Sequence, residues 1–218
     1  IKKCKPNTFV VAGGAHVNAL PTESLCESIS FDAVVAGEAE VLFPRLAVKT
    51  LRGDDSVEAE GVLFRNRLDA TELASVKKHL PAVESLPLPA WDLFPRSRIY
   101  PVMTERGCPF ACVFCSHNLS QHVRRRSVES VIAEIEWVKK QFAPDWIYIE
   151  DETFGLNTER TLSLLQGILR VNADRKLRFK AQTRVDCMEH KVLRSMREAG
   201  FEYLEVGVES GDPDVLER

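Results

Sequence analysis

The stretch TERGCPFACVFCSHN, residues 104–118, holds three of the six cysteines of this 218-residue chain. Cys108, Cys112 and Cys115 follow the spacing Cys-x3-Cys-x2-Cys. Thiolates are soft metal ligands, and a cysteine-rich run in a chain without secretory features favours a metal or catalytic site over a disulfide framework. We therefore expect a metal centre here, with the rest of the chain built around it.

The number of thiols helps to distinguish a zinc site from an iron-sulfur cluster. A structural zinc ion is closed by four ligands, usually two separated pairs, and an ordinary cubane iron-sulfur cluster also takes four thiolates. No second pair follows this run. Three thiolates would leave one iron open to a small molecule, so the count favours a cluster of that kind. Structural zinc and buried structural cysteines remain the alternatives.

The composition is that of an ordinary globular protein, with 44% hydrophobic and 28% charged residues, and it allows one large or two small domains. The net charge of −3 gives no reason to expect nucleic acid or an anionic membrane surface as a partner. The basic run at 124–126 is interpreted as a solvated or ion-paired loop, with an anion contact near the cysteines as the alternative.

No apolar run approaches the roughly 20 residues of a membrane span, and the first residues lack a signal-like apolar core. We therefore expect a cytoplasmic protein with no membrane contact. Cys4, Cys26 and Cys187 stand singly in the sequence. A lone cysteine is typically a small buried hydrophobe, so these three are assigned no role.

The first third of the chain alternates apolar runs with helical patterns. The runs at 8–12, 31–36 and 61–65 predict buried strands of a parallel sheet, whose ligands bind at the carboxyl ends of the strands. Gly13 and Gly14 lie at such an end, with His16 in the same loop. Two glycines let a bulky ligand approach the backbone, although a tight turn is the simpler interpretation of the pair alone.

Residues 81–98 are rich in proline, which disfavours helix and strand and predicts a linker. The remainder of the chain predicts four βα repeats, with strands at 98–104, 146–149, 178–184 and 203–208. The expected helix starts are a cap at Ser127, a cap at Asn157 or Thr158, and a capping box formed by Asp186 and Glu189.

Polar residues follow each of these four strands. Reactive side chains of βα folds gather at strand ends. After the cysteine run, the residues at these ends are Asp151 and Glu152, then Gln182 and Arg184, then Glu209 and Ser210. A carboxylate at a buried strand end needs a partner, so we expect a ligand or Arg184 to satisfy Glu209. The acidic residues 150–152 could instead form a solvated loop.

The cysteine spacing, with Phe114 directly before the last cysteine, resembles the signature of the radical S-adenosylmethionine (SAM) enzymes. The segments GGAHV (13–17) and VAGEAE (35–40) look like the cobalamin-binding domain that precedes the radical domain in one large subgroup. The segment PLPAWDLF (87–94) is similar to the linker of that subgroup. The resemblance covers nearly the whole chain.

This resemblance implies an α/β fold in two parts. The first is the C-terminal part of a flavodoxin-like (Rossmann-like) cobalamin-binding domain, and the second is the first four βα units of a partial TIM-type radical SAM barrel. The implied boundaries are 1–80 for the partial cobalamin-binding domain, 81–98 for the Pro-rich linker and 99–218 for the truncated radical SAM core. We expect a fragment of a longer protein, with strands missing at both ends.

The resemblance also implies three cofactors: a 4Fe-4S cluster on Cys108, Cys112 and Cys115, SAM, and cobalamin. The implied SAM contacts are Asp151 or Glu152 for the amino group, Arg184 for the carboxylate, Glu209 or Ser210 for the ribose, Phe114 for the adenine, and Gln182 beside them. Gly13, Gly14 and His16 carry over as contacts to the corrinoid tail. The Asp-x-His-x-x-Gly loop of related domains does not occur in the sequence, so His16 is not expected to bind cobalt.

The function implied is reductive cleavage of SAM to a 5'-deoxyadenosyl radical, followed by methyl transfer from methylcobalamin to an unactivated carbon of a small-molecule substrate. Radical cyclisation or ring rearrangement is the alternative within the family. A non-catalytic iron-sulfur or corrinoid carrier is a further alternative, and a nucleic-acid-modifying enzyme lacks a supporting basic patch. The implied protein partner is an electron donor such as flavodoxin or ferredoxin.

Overall fold

The computed structural model describes residues 1–53, 60–67, 78–115 and 120–216. Over these ranges the fold is α/β, with a three-stranded sheet, a four-stranded sheet and a two-stranded ribbon. The chain divides into two compact units. The first comprises Ile1–Leu86 and Phe110–Gln121, and the second comprises Pro87–Pro109 and His122–Arg218.

The first unit is a small sheet with helices on both faces. Its elements are β1 (Val11–Ala12), α1 (Ala15–Ala19), α2 (Pro21–Glu27), β2 (Ala33–Val35), α3 (Ala39–Leu51) and β3 (Val62–Phe64). Successive residues of a strand point to opposite faces. Val34 therefore packs with Val17 and Leu25 on one face, while Val35 packs with Leu42 on the other.

One strand of this sheet runs against the prediction. β1 and β2 are parallel, as expected, but β3 pairs antiparallel to β2, with Val34 opposite Leu63. The prediction of an all-parallel sheet is therefore wrong at β3. An apolar run of three residues can pair in either direction, and its composition does not specify which.

The second unit contains four βα repeats and a ribbon. Its elements are β4 (Ile99–Val102), β5 (Glu105–Arg106), β6 (Arg124–Arg125), α4 (Val128–Phe142), β7 (Trp146–Ile149), α5 (Thr158–Val171), β8 (Arg178–Thr183), α6 (His190–Ala199), β9 (Phe201–Val206) and α7 (Pro213–Leu216). The strands β4, β7, β8 and β9 lie side by side in chain order and are parallel. The strands predicted for this half of the chain are confirmed, although β9 begins two residues earlier than expected.

The helices of the second unit bury one face of its sheet. Alternate strand residues such as Ile147, Ile149 and Phe179 are fully buried and form a single core with the apolar faces of α4, α5 and α6. Burial of each such side chain stabilises the fold by roughly 1.5–3 kcal/mol. The intervening residues, including Tyr148 and Lys180, point to the opposite face, where rings and charges contact one another.

Two of the three predicted helix starts are confirmed. Ser127 accepts a hydrogen bond from the backbone N–H of Ser130, and Asn157 accepts one from Arg160, so both are N-caps. The capping box at Asp186 and Glu189 is wrong. Helix α6 begins at His190 without a side-chain cap, because the carboxylate of Asp186 is engaged by the guanidinium of Arg184.

Strands β5 and β6 lie at the two ends of the segment from Thr104 to Arg126, which carries the three clustered cysteines and is called the cysteine run below. Glu105 pairs with Arg125, and Arg106 with Arg124, in antiparallel register. The two ends of the segment that carries Cys108, Cys112 and Cys115 are thus held together in the second unit. The segment begins and ends at one place on the fold.

The proline-rich stretch contains short turns of 3-10 helix at Val83–Ser85 and Trp91–Leu93. The boundary between the two units falls within it, between Leu86 and Pro87. Among the described residues we find no helix with the length and apolar character needed to span a membrane.

Candidate functional site

The carboxyl ends of β4, β7 and β8 form one edge of the four-stranded sheet, because these strands are parallel. Three groups of side chains meet there. Thr104 and Cys108 follow β4, Asp151, Glu152 and Thr153 follow β7, and Gln182 and Arg184 lie at the end of β8. The edge therefore gathers residues that are as many as 80 positions apart in the sequence, since Arg184 follows Thr104 by that distance.

Asp151 is completely buried and lies beneath this edge. Its Oδ1 accepts hydrogen bonds from the backbone N–H of Thr104 at 2.6 Å and of Glu105 at 3.0 Å, and its Oδ2 accepts one from Thr104 Oγ1 at 2.5 Å. Burial raises the pKa of Asp151 to about 7, against the opposing effect of these three hydrogen bonds. The contacts of Asp151 fix the strand end that leads into the cysteine run.

Glu152 contacts the residue directly before Cys108, whereas Asp151 contacts Thr104 and Glu105. Its Oε2 accepts a hydrogen bond from the backbone N–H of Gly107, at 3.1 Å, directly before Cys108. Cys108 is half-buried, and its Sγ lies 3.5 Å from Thr153 Oγ1. Gly107 has a φ of 98°, which favours glycine at the point where the chain turns toward Cys108. Glu152 and Thr153 are thus the residues of β7's end that approach the first cysteine.

The two predicted residues at the end of β8 have different partners. The amide of Gln182 donates to the backbone carbonyl of Asp151 at 3.0 Å, which ties β8 to the loop after β7. Arg184 donates from Nε and Nη2 to the two carboxylate oxygens of Asp186, at 3.0 and 2.8 Å. The guanidinium lowers the pKa of Asp186 through these hydrogen bonds. In this arrangement Arg184 lies at the edge but is oriented by a neighbouring carboxylate.

Glu209 and Ser210 follow β9, and the structure corrects the expectation for the first of them. Glu209 is exposed, with a φ of 58°, so it is not a carboxylate at a buried strand end. The alternative pairing with Arg184 is not present among the described ion pairs, where Arg184 binds Asp186. The chain turns outward beyond Val206, and a short backbone hydrogen bond from Ser210 to Val208 closes that turn.

The remaining cysteines of the run belong to the first unit. Residues Phe110–Gln121 cluster there, with Cys112 half-buried and Cys115 and Phe114 exposed. The backbone N–H of Cys115 donates to the carbonyl of Cys112 at 3.0 Å. Across the described parts of the chain, no three cysteine, histidine or acidic side chains are already arranged as a metal site.

All six cysteines are free thiols. The expectation of buried single cysteines is wrong for Cys4 and Cys26, which are exposed, while Cys187 is half-buried. Burial and the adjacent Asp186 carboxylate raise the pKa of the Cys187 thiol.

Gly13, Gly14 and His16 lie at the carboxyl end of β1 in the first unit, and all three are exposed. Gly14 has a φ of 95°, a conformation that favours glycine.

The neighbouring loop after β2 is held by a residue that we did not predict. The buried amide of Asn18 accepts from the N–H of Gly37 at 2.6 Å and donates to its carbonyl at 3.2 Å. Asn18 therefore ties the loop after β2 to helix α1.

In the basic run at 124–126, Arg125 and Arg126 are ion-paired, as the simpler interpretation expected, although Arg124 and Arg125 form strand β6 and not a loop. Arg125 Nε lies 2.8 Å from Glu105 Oε2, and Arg126 pairs with the buried Glu134 of α4. Burial raises the pKa of both carboxyls, and the arginines oppose that shift. These ion pairs hold residues at the two ends of the cysteine run, Glu105 at its start and Arg125 and Arg126 at its end.

Tyr148, Lys180 and Glu205 form a polar cluster on the sheet face opposite the helices. Lys180 Nζ lies 4.0 Å from the ring centroid of Tyr148 and 3.1 Å from Glu205 Oε1, and the Tyr148 hydroxyl donates to Glu205 Oε2 at 3.3 Å. Burial and the adjacent carboxylates raise the pKa of Tyr148 to about 12. The hydroxyl therefore stays protonated at neutral pH, and this face offers hydrogen-bond donors and acceptors to a polar molecule.

Several residues of these sites escape prediction from sequence. Thr153 carries no motif of its own and is recognisable only as a hydroxyl within the strand-end group. Asn18 directly follows the segment 13–17, which we interpreted as a loop, and Arg160 lies inside a helical pattern, where a polar residue is normally assigned to a solvated face. Their partners are far away in sequence, 19 residues for Asn18 and 56 for Arg160, so local patterns carry no signal for them.

Comparison with known proteins identifies the family. The model of the Radical SAM superfamily matches residues 102–218, more than half of the chain. An uncharacterized methyltransferase from Pyrococcus horikoshii is 34% identical over 99% of this chain and 48% of its own length. The cobalamin-dependent radical SAM methyltransferase TokK from Streptomyces tokunonensis is 30% identical over 72% of this chain and 25% of its own length.

A third relative has a different activity. The anaerobic magnesium-protoporphyrin IX monomethyl ester cyclase from Cereibacter sphaeroides is 26% identical over 94% of this chain and 36% of its own length. The chain thus spans about half the length, or less, of the curated relatives it matches.

A solved structure has the same fold. The radical SAM methyltransferase TsrM from Kitasatospora setae, with cobalamin and a [4Fe-4S] cluster bound, superposes with a TM-score of 0.74 over 96% of this chain and 43% of its own, at 19% identity. That identity supports the fold alone. The segment matched by the family model begins at Val102, the last residue of β4, and includes Cys108. The chain belongs to the Radical SAM superfamily.

Proposed function

We propose that this chain is part of a cobalamin-dependent radical SAM methyltransferase that acts on an unactivated carbon of a small molecule. In this proposal the first unit is a partial flavodoxin-like cobalamin-binding domain, and the second is the first four βα units of a TIM-type radical SAM barrel. The electron donor would be a separate protein such as flavodoxin or ferredoxin.

One observation carries the proposal. Within the segment matched by the family model, Glu152 accepts a hydrogen bond from the backbone N–H of Gly107, the residue before Cys108, and Thr153 Oγ1 lies 3.5 Å from the Cys108 thiol. A carboxylate and a hydroxyl beside a thiol are the polar groups needed to bind an aminoacyl ligand of a metal held by that thiol. A carrier protein has no need of such a set.

The residues present fit the implied cofactors by donor type. Cys108, Cys112 and Cys115 are free thiols at the family spacing, and they would hold a 4Fe-4S cluster with one iron open. When bound, the cluster supplies the electron that cleaves SAM, and the corrinoid supplies the methyl group. Glu152 is the better placed of the two predicted carboxylates to accept from the SAM amino group, because the oxygens of Asp151 are already occupied by Thr104 and Glu105.

The other predicted SAM contacts are proposed as follows, with Ser210 rather than the exposed Glu209 at the ribose. Arg184 would pair with the SAM carboxylate from the end of β8, in exchange for or alongside Asp186. Gln182 would orient the loop after β7 through its bond to Asp151. Phe114 is 65% exposed and presents an apolar ring for the adenine, and Ser210 would offer a hydroxyl to the ribose.

The corrinoid tail is assigned to the exposed loop after β1. A Cβ at Gly13 would meet the Val35 carbonyl oxygen at 3.6 Å, an ordinary contact, and no described atom lies within 4 Å of the position of a Cβ at Gly14. A bulky ligand could therefore contact this backbone directly, with His16 beside it as a polar contact rather than a cobalt ligand.

Radical cyclisation is the second candidate, because two cyclases among the relatives are 26% and 25% identical to this chain, not far below the 30% of the methyltransferase TokK. The polar face of Tyr148, Lys180 and Glu205 suits a polar small-molecule substrate in either reaction. Methyl transfer is favoured, since the relative that is 34% identical over nearly the whole chain is a methyltransferase.

Anaerobic reconstitution with iron and sulfide tests the proposal. About four irons per chain are expected, with an EPR signal that changes when SAM is added. Cys112→Ala should lose the cluster, and Cys26→Ala, at an exposed cysteine of the first unit, should retain it. Stoichiometric zinc in place of iron, or a cluster kept in Cys112→Ala, would contradict the proposed function.

A further inference from the structure

The guanidinium of Arg160 joins the two ends of the cysteine run. Arg160 lies in the first turn of α5, and its side chain is 16% exposed. Its Nη2 donates to the backbone carbonyl of Thr104 at 3.1 Å and to that of Arg126 at 2.9 Å. Thr104 lies at the entry of the run and Arg126 at its exit. One nitrogen atom therefore contacts both ends of a segment of more than twenty residues.

The same guanidinium also contacts the side chains at this junction. Its Nη1 lies 3.4 Å from Thr104 Oγ1 and 4.0 Å from Glu105 Oε2, and Glu105 in turn binds Arg125 across the ribbon. The backbone N–H of Arg126 donates to the Thr104 carbonyl at 3.0 Å. Arg160 thus completes a closed set of bonds among Thr104, Glu105, Arg125 and Arg126.

The geometry favours arginine over lysine at this position. A guanidinium is planar and presents several N–H donors in a rigid fork, whereas a lysine ammonium is a point charge that cannot reproduce that pattern. The residue is also desolvated, which lowers its pKa, while Glu105 and Asp151 oppose the shift by favouring the charged form. Desolvation of a buried cation is costly, and here the hydrogen bonds of the guanidinium and the nearby Glu105 carboxylate offset that cost.

We propose that Arg160 is a positioning residue, which holds the entry and exit of the cysteine run at the spacing that lets its thiols bind one cluster. This inference rests on the proposed function, because it assumes that the thiols share a metal cluster. Residues that orient metal ligands without touching the metal typically change metal affinity by roughly 10- to 100-fold when they are substituted. Arg160 touches no thiol among the described contacts, so its effect would pass through Thr104 and Arg126.

The experiment compares Arg160→Met, Arg160→Lys and the wild type, with Arg170→Met as the matched control at an exposed arginine of the same helix. Hydrogen exchange of the metal-free protein is measured first, over peptides that contain Thr104 to Gly107 and Arg124 to Arg126. We expect Arg160→Met to accelerate exchange at both ends roughly tenfold or more, Arg160→Lys to lie between, and Arg170→Met to match the wild type.

Cluster retention is then measured on reconstituted samples during titration with an iron chelator. Arg160→Met should lose iron at roughly 10- to 100-fold lower chelator concentration and show a broadened EPR signal, with partial rescue in Arg160→Lys. Wild-type exchange and retention in Arg160→Met would overturn the inference, as would equal losses in Arg170→Met.

Two further outcomes keep the tests separate. If Arg160→Met does not fold, the comparison uses Arg160→Lys, and wild-type exchange together with wild-type retention in that variant overturns the inference. If the wild type binds no cluster, the proposed function fails and the role in cluster binding fails with it. Accelerated exchange in the metal-free variant would then show only that Arg160 joins the two ends of the run.

Discussion

Thr104 donates two hydrogen bonds to the buried carboxylate of Asp151, one from its backbone N–H at 2.6 Å and one from its hydroxyl at 2.5 Å. Thr104 follows β4 and Asp151 follows β7, so the pair links the ends of two adjacent strands. Both residues are completely buried. The pair fixes the direction in which the chain leaves the sheet toward Cys108.

Thr104→Val tests the strength of this link. Valine keeps the shape but removes the hydroxyl, which leaves a buried carboxylate oxygen without its donor, so the free energy of unfolding should fall by about 1–3 kcal/mol. Urea denaturation measures the change. Thr158→Val is the control, because the Thr158 hydroxyl makes a similar 2.6 Å bond to the exposed Glu189 and its loss should change stability by less than about 0.5 kcal/mol. Equal losses of stability in the two variants would show that the buried Thr104–Asp151 hydrogen bond contributes no more than the exposed Thr158–Glu189 bond.

The pH dependence of stability should report Asp151. Burial raises its folded pKa to about 7, whereas an unfolded aspartate titrates near ~3.9. Between these values the folded state holds a proton that the unfolded state lacks. The contribution to stability is therefore fully present below about pH 4 and lost as the pH rises to about 7.

Asp151→Asn should remove that slope, which is on the order of a few kcal/mol across this window. Denaturation curves at several pH values between 4 and 8 measure it. Asp92→Asn, at an exposed aspartate, should keep the wild-type slope. A stability that rises with pH over this range in the wild type but not in Asp151→Asn would reverse our assignment of the proton.

Glu152→Gln tests whether Glu152 binds SAM or only holds the backbone at Gly107. If Glu152 accepts from the SAM amino group, its neutral replacement should weaken SAM binding by about 1–3 kcal/mol and leave the iron content unchanged. Calorimetric titration of the reconstituted protein with SAM provides the measurement. Glu150→Gln, at the exposed neighbouring carboxylate, should leave affinity unchanged. The same loss in both variants would indicate a general effect of charge.

Asn18→Ala should destabilise the first unit. The substitution leaves both the N–H and the carbonyl of the buried Gly37 without partners, which is expected to lower the free energy of unfolding by about 2 kcal/mol. Thermal and urea unfolding measure this, with the exposed Asn7→Ala as the control. If the loop after β2 helps to bind the corrinoid, Asn18→Ala should also weaken binding of added cobalamin, which is followed by its absorption spectrum.

The sequence predicts local features of this protein well. The four strands of the second unit follow from short apolar or alternating stretches, and the helix starts at Ser127 and Asn157 follow from side chains that reach only three residues along the chain. The metal-binding expectation at Cys108, Cys112 and Cys115 depends only on ligand chemistry and spacing, which are written directly in the sequence.

Local sequence patterns therefore identify the strands of the two larger sheets, the longer helices, the family resemblance and the group of polar residues at the strand ends. Three features depend on tertiary contacts instead: β3 runs antiparallel, Asp151 is buried at the strand end while Glu152 contacts the residue before Cys108, and Glu209 is exposed. The physical reason is distance along the chain. Hydrogen bonds such as those from Arg160 to Thr104 join residues 56 positions apart, and no local propensity encodes which buried groups will meet.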